Sequence, residues 1–339
     1  MSSILSSISL YKMHPLNSTP EHPLLSKLNS PCSPPLSKKQ NTIKFIQIIF
    51  IINAITLLFL LFTPKLIWAN TALSQTESQP YQRIISLAPH ITEMLYSAGG
   101  GEKIVGVVSY SDYPKEALNK PIIGGYNAIN LEKIIQLNPD LILGWTSGNR
   151  PQDIKRLKEL GFHVQLFEVT QLEDIPNRIE ALGLLTGNQA KAQQTAQALR
   201  TTLLKIRQTY QNRTPVTTFY QIWHQPIITM NGQQFISQAI EACGAKNAYE
   251  DLSKLTATIG LESLFKRNPQ LFLLGGQASF QQDWLTFWQK YPNLQAVENE
   301  QIYLLNNSHY QRPTARLIHA LEPLCQIIDQ ARQHYQVQN

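Results

Sequence analysis

A stretch of 13 residues occurs twice in this chain and decides its fold: residues 131–143 read LEKIIQLNPDLIL, and residues 261–273 read LESLFKRNPQLFL. In each copy the Glu suits the positive N-terminus of a short helix, and Asn-Pro ends that helix. The apolar run that follows is typical of a buried parallel strand. The copies lie about half a protein apart, which indicates two similar lobes with a ligand-binding cleft between them.

The sequence between the two copies predicts how the lobes are joined. Residues 190–210 contain neither Pro nor Gly, and their apolar residues recur every three or four positions, which predicts one long amphipathic helix. Alternating strands and helices on both sides of it predict an α/β fold: two lobes, each with a mostly parallel sheet flanked by helices, joined by one long helix. We expect the N-terminal lobe at 80–187, the joining helix at 188–212 and the C-terminal lobe at 213–337. A final amphipathic helix is expected to begin at Pro313.

Residues 1–69 differ in composition from the rest of the chain. They hold six lysines and one glutamate, so most of the formal net charge of +6 lies there and the remainder is nearly neutral, which argues against a nucleic-acid partner. A Ser-, Pro- and Lys-rich segment precedes an apolar run at 45–62, and Ala69 ends a site suited to signal peptidase. We expect residues 1–69 to be a cleavable signal peptide with a long disordered n-region, which predicts a periplasmic protein. A start at Met13 is one alternative, and an uncleaved inner-membrane anchor, which would make a tethered sensor domain, is another.

Two cysteines, Cys243 and Cys325, lie after the leader. In an oxidising compartment an even pair favours a disulfide bond, whereas the alternative is that both are small buried apolar residues. A bond between them would close a loop of about 80 residues and stabilise the fold by roughly 4–5 kcal/mol according to the chain-entropy treatment.

Several motifs resemble those of the periplasmic cobalamin-binding proteins of ABC importers. The residues that carry the resemblance are the segment 83–89 with Thr92 and Glu93, the segment 109–114 (SYSDYP), Asn130 to Glu132 with Asn138 to Leu141, Glu241 to Gly244 with Asn247, and the arginine-bearing loop before Cys325. The resemblance covers roughly residues 81–334. It implies that a corrinoid is held between the lobes and delivered to an inner-membrane ABC permease and its ATPase. Haem and ferric siderophores are the alternative ligands, because the wider class shares the individual motifs.

The resemblance also implies a set of site residues. Ligand contacts are expected at Tyr110, at Tyr126 and in the loop formed by Ser308, His309, Tyr310, Gln311 and Arg312. Aromatic rings with a polar tip suit the flat, partly apolar corrin, and an arginine suits a phosphate or a propionate. Ser308 and His309 depart from the family pattern, and His309 is a candidate axial ligand if the cargo is haem. The tryptophan that forms a wall of the second lobe in the family is replaced by Thr256-Ala257-Thr258.

Three further groups of residues follow from their positions. Trp145 is expected at the carboxyl end of a strand, where open α/β sheets bind ligands, and Trp223 with His224 occupies a comparable place in the second lobe. Glu132 and Glu262 hold equivalent repeat positions, and the resemblance implies that they dock onto the permease. The alternative is that each Glu only stabilises the N-terminus of its helix.

The sequence predicts a protein without catalytic activity. It contains no phosphate-binding loop and no nucleophile elbow, and its histidines lack metal-ligand spacing. We therefore expect a monomeric solute receptor that needs no metal and no cofactor of its own. A periplasmic chelatase or hydrolase on a similar bilobal fold is the competing class.

Overall fold

Both copies of the repeated stretch form a short helix followed by a fully or largely buried strand. The computed structural model describes residues 79–125 and 128–338. The two helices end at Asn138 (φ 43°, ψ 62°) and Asn268 (φ 42°, ψ 61°), which both adopt the left-handed conformation. Asn tolerates this conformation better than most residues, and the proline after it prevents the helix from continuing. The repeated motif therefore specifies a repeated helix end, as the sequence predicts.

The N-terminal lobe is built around a four-stranded sheet. Its elements are β1 (Ile84–Ser86), α1 (Pro89–Ser97), a 3-10 turn (Gly101–Lys103), β2 (Ile104–Val107), a second 3-10 turn (Lys115–Asn119), β3 (Gly124–Gly125), β4 (Ala128–Ile129), α2 (Leu131–Leu137), β5 (Leu141–Trp145), α3 (Pro151–Glu159), β6 (Val164–Phe167) and α4 (Asp174–Thr186). The strand order is β2-β1-β5-β6, and all neighbours are parallel. β3 and β4 form a separate antiparallel pair.

The C-terminal lobe repeats this plan. Its elements follow α5 (Gln189–Tyr210) and are β7 (Thr217–Gln221), β8 (Ile228–Met230), α6 (Phe235–Ala242), β9 (Lys246–Asn247), β10 (Thr256–Thr258), α7 (Leu261–Arg267), β11 (Leu271–Leu274), α8 (Ala278–Trp288), α9 (Gln295–Glu298), β12 (Ile302–Leu304), α10 (Asn307–Tyr310), α11 (Ala315–His319) and α12 (Leu321–Gln338). Its sheet has the parallel order β12-β11-β7-β9. Written from the other edge, β9, β7, β11 and β12 take the places of β2, β1, β5 and β6 in the N-terminal sheet. β8 and β10 form the second antiparallel pair.

Helix α5 is the long helix that joins the lobes. Its buried residues fall three or four positions apart along one stripe: Ala192, Ala196, Leu199, Leu203, Ile206 and Tyr210. One hydrophobic core contains all of this stripe except Ala196, together with buried residues of both lobes, such as Leu182 and Leu324. The fold is therefore the predicted one, two parallel-sheet lobes joined by one long helix.

The end of the chain differs from the prediction of one helix beginning at Pro313. Two helices are present, α11 and α12, with Ala320 between them. Pro323 lies in the first turn of α12 and has no N–H to continue the hydrogen bonding of α11, which explains the break. Cys243, at the end of α6, is bonded to Cys325 in α12 across a sequence separation of 82 residues, as the sequence favours.

The predicted leader at 1–69 lies outside the described residues. Across 79–125 and 128–338, no helix is long and apolar enough to cross a membrane.

Candidate functional site

The carboxyl ends of the two parallel sheets face each other, and a cluster of charged side chains joins them. Arg312, after β12 and α10, donates to Glu93 Oε1 on α1 at 2.9 Å and to Asp112 Oδ1, after β2, at 2.6 Å. Arg316 on α11 donates through Nε to Glu93 Oε2 at 3.0 Å. These contacts cross from one lobe to the other, at the sheet edges where open α/β folds bind their ligands.

Burial makes this cluster a structural link between the lobes. Glu93 is only 2% exposed, so its buried negative charge has to be compensated by the guanidinium groups of Arg312 and Arg316. Partial burial opposes ionisation of Asp112, but the hydrogen bond and charge of Arg312 outweigh it and hold the pKa of this carboxyl below its usual value. The guanidinium of Arg316 also lies 4.0 Å from the centroid of the Tyr113 ring. Arg312, expected from the resemblance to contact ligand, is thus already paired with carboxylates of the other lobe.

Tyr110 and Trp145 lie at the carboxyl edge of the first sheet. Tyr110 is 71% exposed and has a φ of 67°, a left-handed conformation that is costly for an aromatic residue. Trp145 ends β5 and is 36% exposed, and its Nε1 donates to Glu168 Oε1 at 3.0 Å. These two predicted residues therefore present accessible aromatic surface at the carboxyl edge of the first sheet, which we call the N-terminal wall.

The loop that carries Trp145 is held rigidly. Asn149 accepts a hydrogen bond from Trp145 N at 2.6 Å and donates to Leu87 O at 2.9 Å. The ring of His90 meets that of Trp145 edge to face, with centroids 5.1 Å apart. Burial, with a smaller contribution from the charge of Arg312, lowers the pKa of His90 to about 4, so this imidazole is neutral at physiological pH.

A second aromatic surface lies at the carboxyl edge of the second sheet, and sequence reasoning found only part of it. Trp223 follows β7 and is 45% exposed, and Phe280 on α8 is 44% exposed. Their ring centroids are 6.5 Å apart, and the ring of Trp223 also lies 6.3 Å from that of Trp284, which is 4% exposed. We call Trp223, Phe280 and Trp284 the C-terminal wall.

The C-terminal wall borders a cavity of about 430 Å³. Its lining residues are Trp223, His224, Gln225, Phe280, Asp283 and Trp284. Sequence reasoning placed Trp223 and His224 here but missed Phe280, Asp283 and Trp284. The density of aromatic residues in the segment after β11 was the available signal.

The predicted loop at 308–312 is only partly open to the cleft. Ser308 and His309 are half-buried, whereas Tyr310 is 5% exposed and its hydroxyl donates to Ala320 O at 3.0 Å. Gln311 Nε2 donates to Gly275 O at 2.7 Å. Tyr310 is part of the core shared by the lobes, so it belongs to the structure and not to the cleft surface. Tyr126 lies outside the described residues.

Glu132 and Glu262 occupy the same place in their lobes. Each is the second residue of its helix, and each side chain is exposed. Neither forms an ion pair with a residue in 79–125 or 128–338. Within those same ranges, no group of three His, Cys, Asp or Glu residues is arranged to hold a metal ion.

Comparison with known proteins agrees with this architecture. The family described as periplasmic binding protein matches residues 84–308. The vitamin B12-binding protein of Vibrio cholerae is 35% identical over 275 residues, which cover 81% of this chain and 96% of that protein. That of Vibrio parahaemolyticus is 33% identical over 274 residues, 81% of this chain and 96% of its own length.

Solved structures give the same result. The crystal structure of the periplasmic vitamin B12-binding protein of Vibrio cholerae superposes with a TM-score of 0.69 at 35% identity, covering 75% of this chain and 98% of that one. The periplasmic haem-binding protein of Vibrio cholerae has a TM-score of 0.64 at 16% identity, covering 73% and 98%, and shares the fold alone. With two parallel-sheet lobes, a joining helix and these relatives, the chain belongs to the periplasmic binding protein family.

Proposed function

We propose that this chain captures cobalamin between its two lobes and delivers it to an ABC importer. The observation that carries the proposal is the pair of aromatic walls, one at the carboxyl edge of each sheet, in a chain that is 35% identical to a vitamin B12-binding protein. The corrin is flat and partly apolar, and aromatic faces with polar tips suit such a surface. Binding of this kind needs no covalent step, so the protein acts as a receptor and not as an enzyme.

The C-terminal wall supports a corrinoid in a different way from the family pattern. The sequence has Thr256–Thr258 where the resemblance implies a tryptophan, and these residues form strand β10. Trp223 and Phe280 supply exposed aromatic area in the same lobe from the end of β7 and from α8. We infer that they replace the missing tryptophan as the apolar surface of the second lobe.

Delivery would use the two exposed glutamates. Glu132 and Glu262 hold equivalent positions on two lobes of the same design, so a permease with two cationic sites would contact both lobes at once. Such rim charges contribute mainly to register and association rate. We propose a monomeric periplasmic receptor, exported by its leader, whose partners are an inner-membrane permease and the ATPase of that importer.

Titration with cyanocobalamin, haemin and a ferric hydroxamate tests the proposal. Calorimetry should give tight 1:1 binding of cyanocobalamin and at least about 100-fold weaker binding of the other two, a difference of roughly 2.7 kcal/mol. Tight binding of haemin alone would overturn the cobalamin assignment. The Tyr310 hydroxyl is buried and donates to Ala320 O, so an axial ligand for haem from this loop would have to be the half-buried His309.

A further inference from the structure

His224 and Asp283 place polar groups inside the cavity of the C-terminal lobe, beside the C-terminal wall. His224 is clamped between aromatic rings: it stacks on Trp284 with centroids 5.7 Å apart at 26° and meets Phe287 edge to face at 4.5 Å. Asp283 lies one residue before Trp284 on α8, and its side chain is exposed. The imidazole, held between aromatic rings, and the accessible carboxylate thus line the same cavity at the edge of an apolar surface.

Gln221 determines which nitrogen of His224 carries the proton. The indole N–H of Trp288 is only a donor, and it donates to Gln221 Oε1 at 2.7 Å. The amide nitrogen of Gln221 therefore faces His224 Nδ1, at 3.1 Å. Because an amide nitrogen only donates, Nδ1 must accept, and the proton of the neutral imidazole lies on Nε2. Gln221 is fully buried, which keeps this arrangement in place.

The imidazole of His224 is neutral at physiological pH. Burial lowers its pKa below the ordinary value, and the charge of Asp283 offsets this only in part. His224 Nε2 therefore supplies an N–H donor and Asp283 a carboxylate acceptor among the residues that line the cavity, which also include the exposed Gln225. A primary carboxamide, which has one carbonyl oxygen and one NH2 group, is complementary to that pair. A carboxylate has acceptors only and would meet the negative charge of Asp283.

We propose that this cavity binds a primary carboxamide on the rim of the corrin, with His224 Nε2 donating to its oxygen and Asp283 accepting from its nitrogen. This inference rests on the proposed function and gives it a basis for selectivity. Trp223 and Phe280 would pack against the apolar edge of the ring that carries the amide. His224 and Asp283 together disfavour the propionate groups of haem. The cavity therefore selects macrocycles that carry carboxamides on their rim over those that carry carboxylates.

The test compares cobalamin with its monocarboxylic acids, in each of which one rim carboxamide is hydrolysed to the acid. The full-length mature protein should bind at least one of these acids about tenfold or more weakly than cobalamin. Asp283→Asn, on an exposed position, should reduce that discrimination to about threefold or less, because Asn also donates to a carboxylate. Glu298→Gln, an exposed acid of the same lobe outside the cavity, is the matched control and should keep the wild-type ratio.

A second variant tests the donor. His224→Phe keeps an aromatic ring against Trp284 but removes Nε2–H, and it should weaken cobalamin binding about fivefold or more. Wild-type protein that binds all the monocarboxylic acids as tightly as cobalamin, or Asp283→Asn protein with the wild-type ratio, would overturn the carboxamide site and leave cobalamin capture intact. Failure of the wild type to bind cobalamin at all would overturn both.

Discussion

Tyr110 combines a left-handed backbone with a side chain that is 71% exposed. If this position served only the fold, a glycine would adopt the conformation without strain. The presence of a strained tyrosine therefore points to a role for its ring. Tyr110→Gly should raise the free energy of unfolding by roughly 0.5–1 kcal/mol, because glycine adopts this φ without strain. The same change should weaken cobalamin binding by about tenfold, since it removes an aromatic contact.

Tyr110→Ala is the matched control for that prediction. Alanine removes the ring and keeps the strained backbone, so it should lose affinity as Tyr110→Gly does without the gain in stability. Chemical denaturation and calorimetric titration of both variants measure the two effects. Equal affinity in the wild type and both variants would show that Tyr110 does not contact the ligand.

His90 makes folding stability depend on pH. Its pKa is about 4 in the folded protein and about 6.5 when the chain is unfolded, so the unfolded chain binds the extra proton between these values. The stability contributed by neutral His90 is complete above about pH 6.5 and is lost as the pH falls towards 4. The loss should approach about 3 kcal/mol, measured by chemical denaturation between pH 7 and pH 4.

The His90→Gln variant separates this effect from that of the carboxylates. Glutamine stays neutral over the whole range, so the difference in unfolding free energy between pH 7 and pH 4 should be smaller by about 2–3 kcal/mol in the variant. An identical pH dependence in both proteins would show that another group causes the acid sensitivity.

Helix α8 depends on a glycine just before its start to support the C-terminal wall. A Cβ atom at Gly276 would lie 2.5 Å from the Trp284 ring, which is closer than packed atoms allow. Gly276→Ala should therefore displace Trp284, lower the free energy of unfolding by about 1–3 kcal/mol and weaken cobalamin binding. Thermal unfolding and titration measure both.

Gly260, at the start of α7, provides the control for Gly276. A Cβ atom there would meet nothing within 4 Å, so Gly260→Ala should cost only the poorer N-cap of alanine, about 1 kcal/mol, and leave cobalamin binding unchanged. If the two alanine variants behave alike, close packing of Trp284 on Gly276 is not what holds the wall.

Local chemistry explains which elements could be predicted. The Asn-Pro pairs after α2 and α7 encode a helix end within a few residues, and the predicted two-lobed scaffold followed from them. The C-terminal wall was harder to predict from the sequence, because apolar and aromatic residues in α8 are consistent with a buried core as well as with a ligand-binding surface. Tyr310 was misplaced for the converse reason: its polar tip suited a ligand, but its partner is a backbone carbonyl ten residues away.

At the scale of the whole molecule, the lobes are linked by contacts that no local pattern predicts. Arg312 and Glu93 are 219 residues apart in sequence yet form a largely buried ion pair between the lobes. The motifs around both residues supported the resemblance, but nothing in their spacing indicated that they meet. Together with the shared core and α5, these contacts argue for a cleft that opens and closes little.

The proposed delivery to a permease requires both lobes at once. Glu132→Ala combined with Glu262→Ala should abolish cobalamin uptake by cells that rely on this receptor, because in the proposed docking the two rim charges orient the loaded protein on the importer. Cobalamin affinity should stay within about twofold of the wild type, since both residues are exposed in the first turns of α2 and α7 and belong to neither aromatic wall. Uptake assays and titration of the purified variant measure the two properties.

The control for this prediction removes two other exposed acids, one per lobe. Glu102→Ala with Glu298→Ala changes the net charge equally and should leave uptake normal. Equal loss of uptake in both double variants would indicate a general charge effect, and collapse of ligand binding in the Glu132 and Glu262 variant would place these residues in the cleft.

The position of the cobalt atom tests the central claim most directly. Anomalous diffraction from crystals of the protein grown with cobalamin locates the metal without reference to any assumed binding mode. Cargo held between the lobes predicts one cobalt per chain, between the ring of Tyr110 or Trp145 on one side and those of Trp223 and Phe280 on the other. A cobalt bound outside the cleft, or on one lobe with the opposite wall uncontacted, would contradict the account.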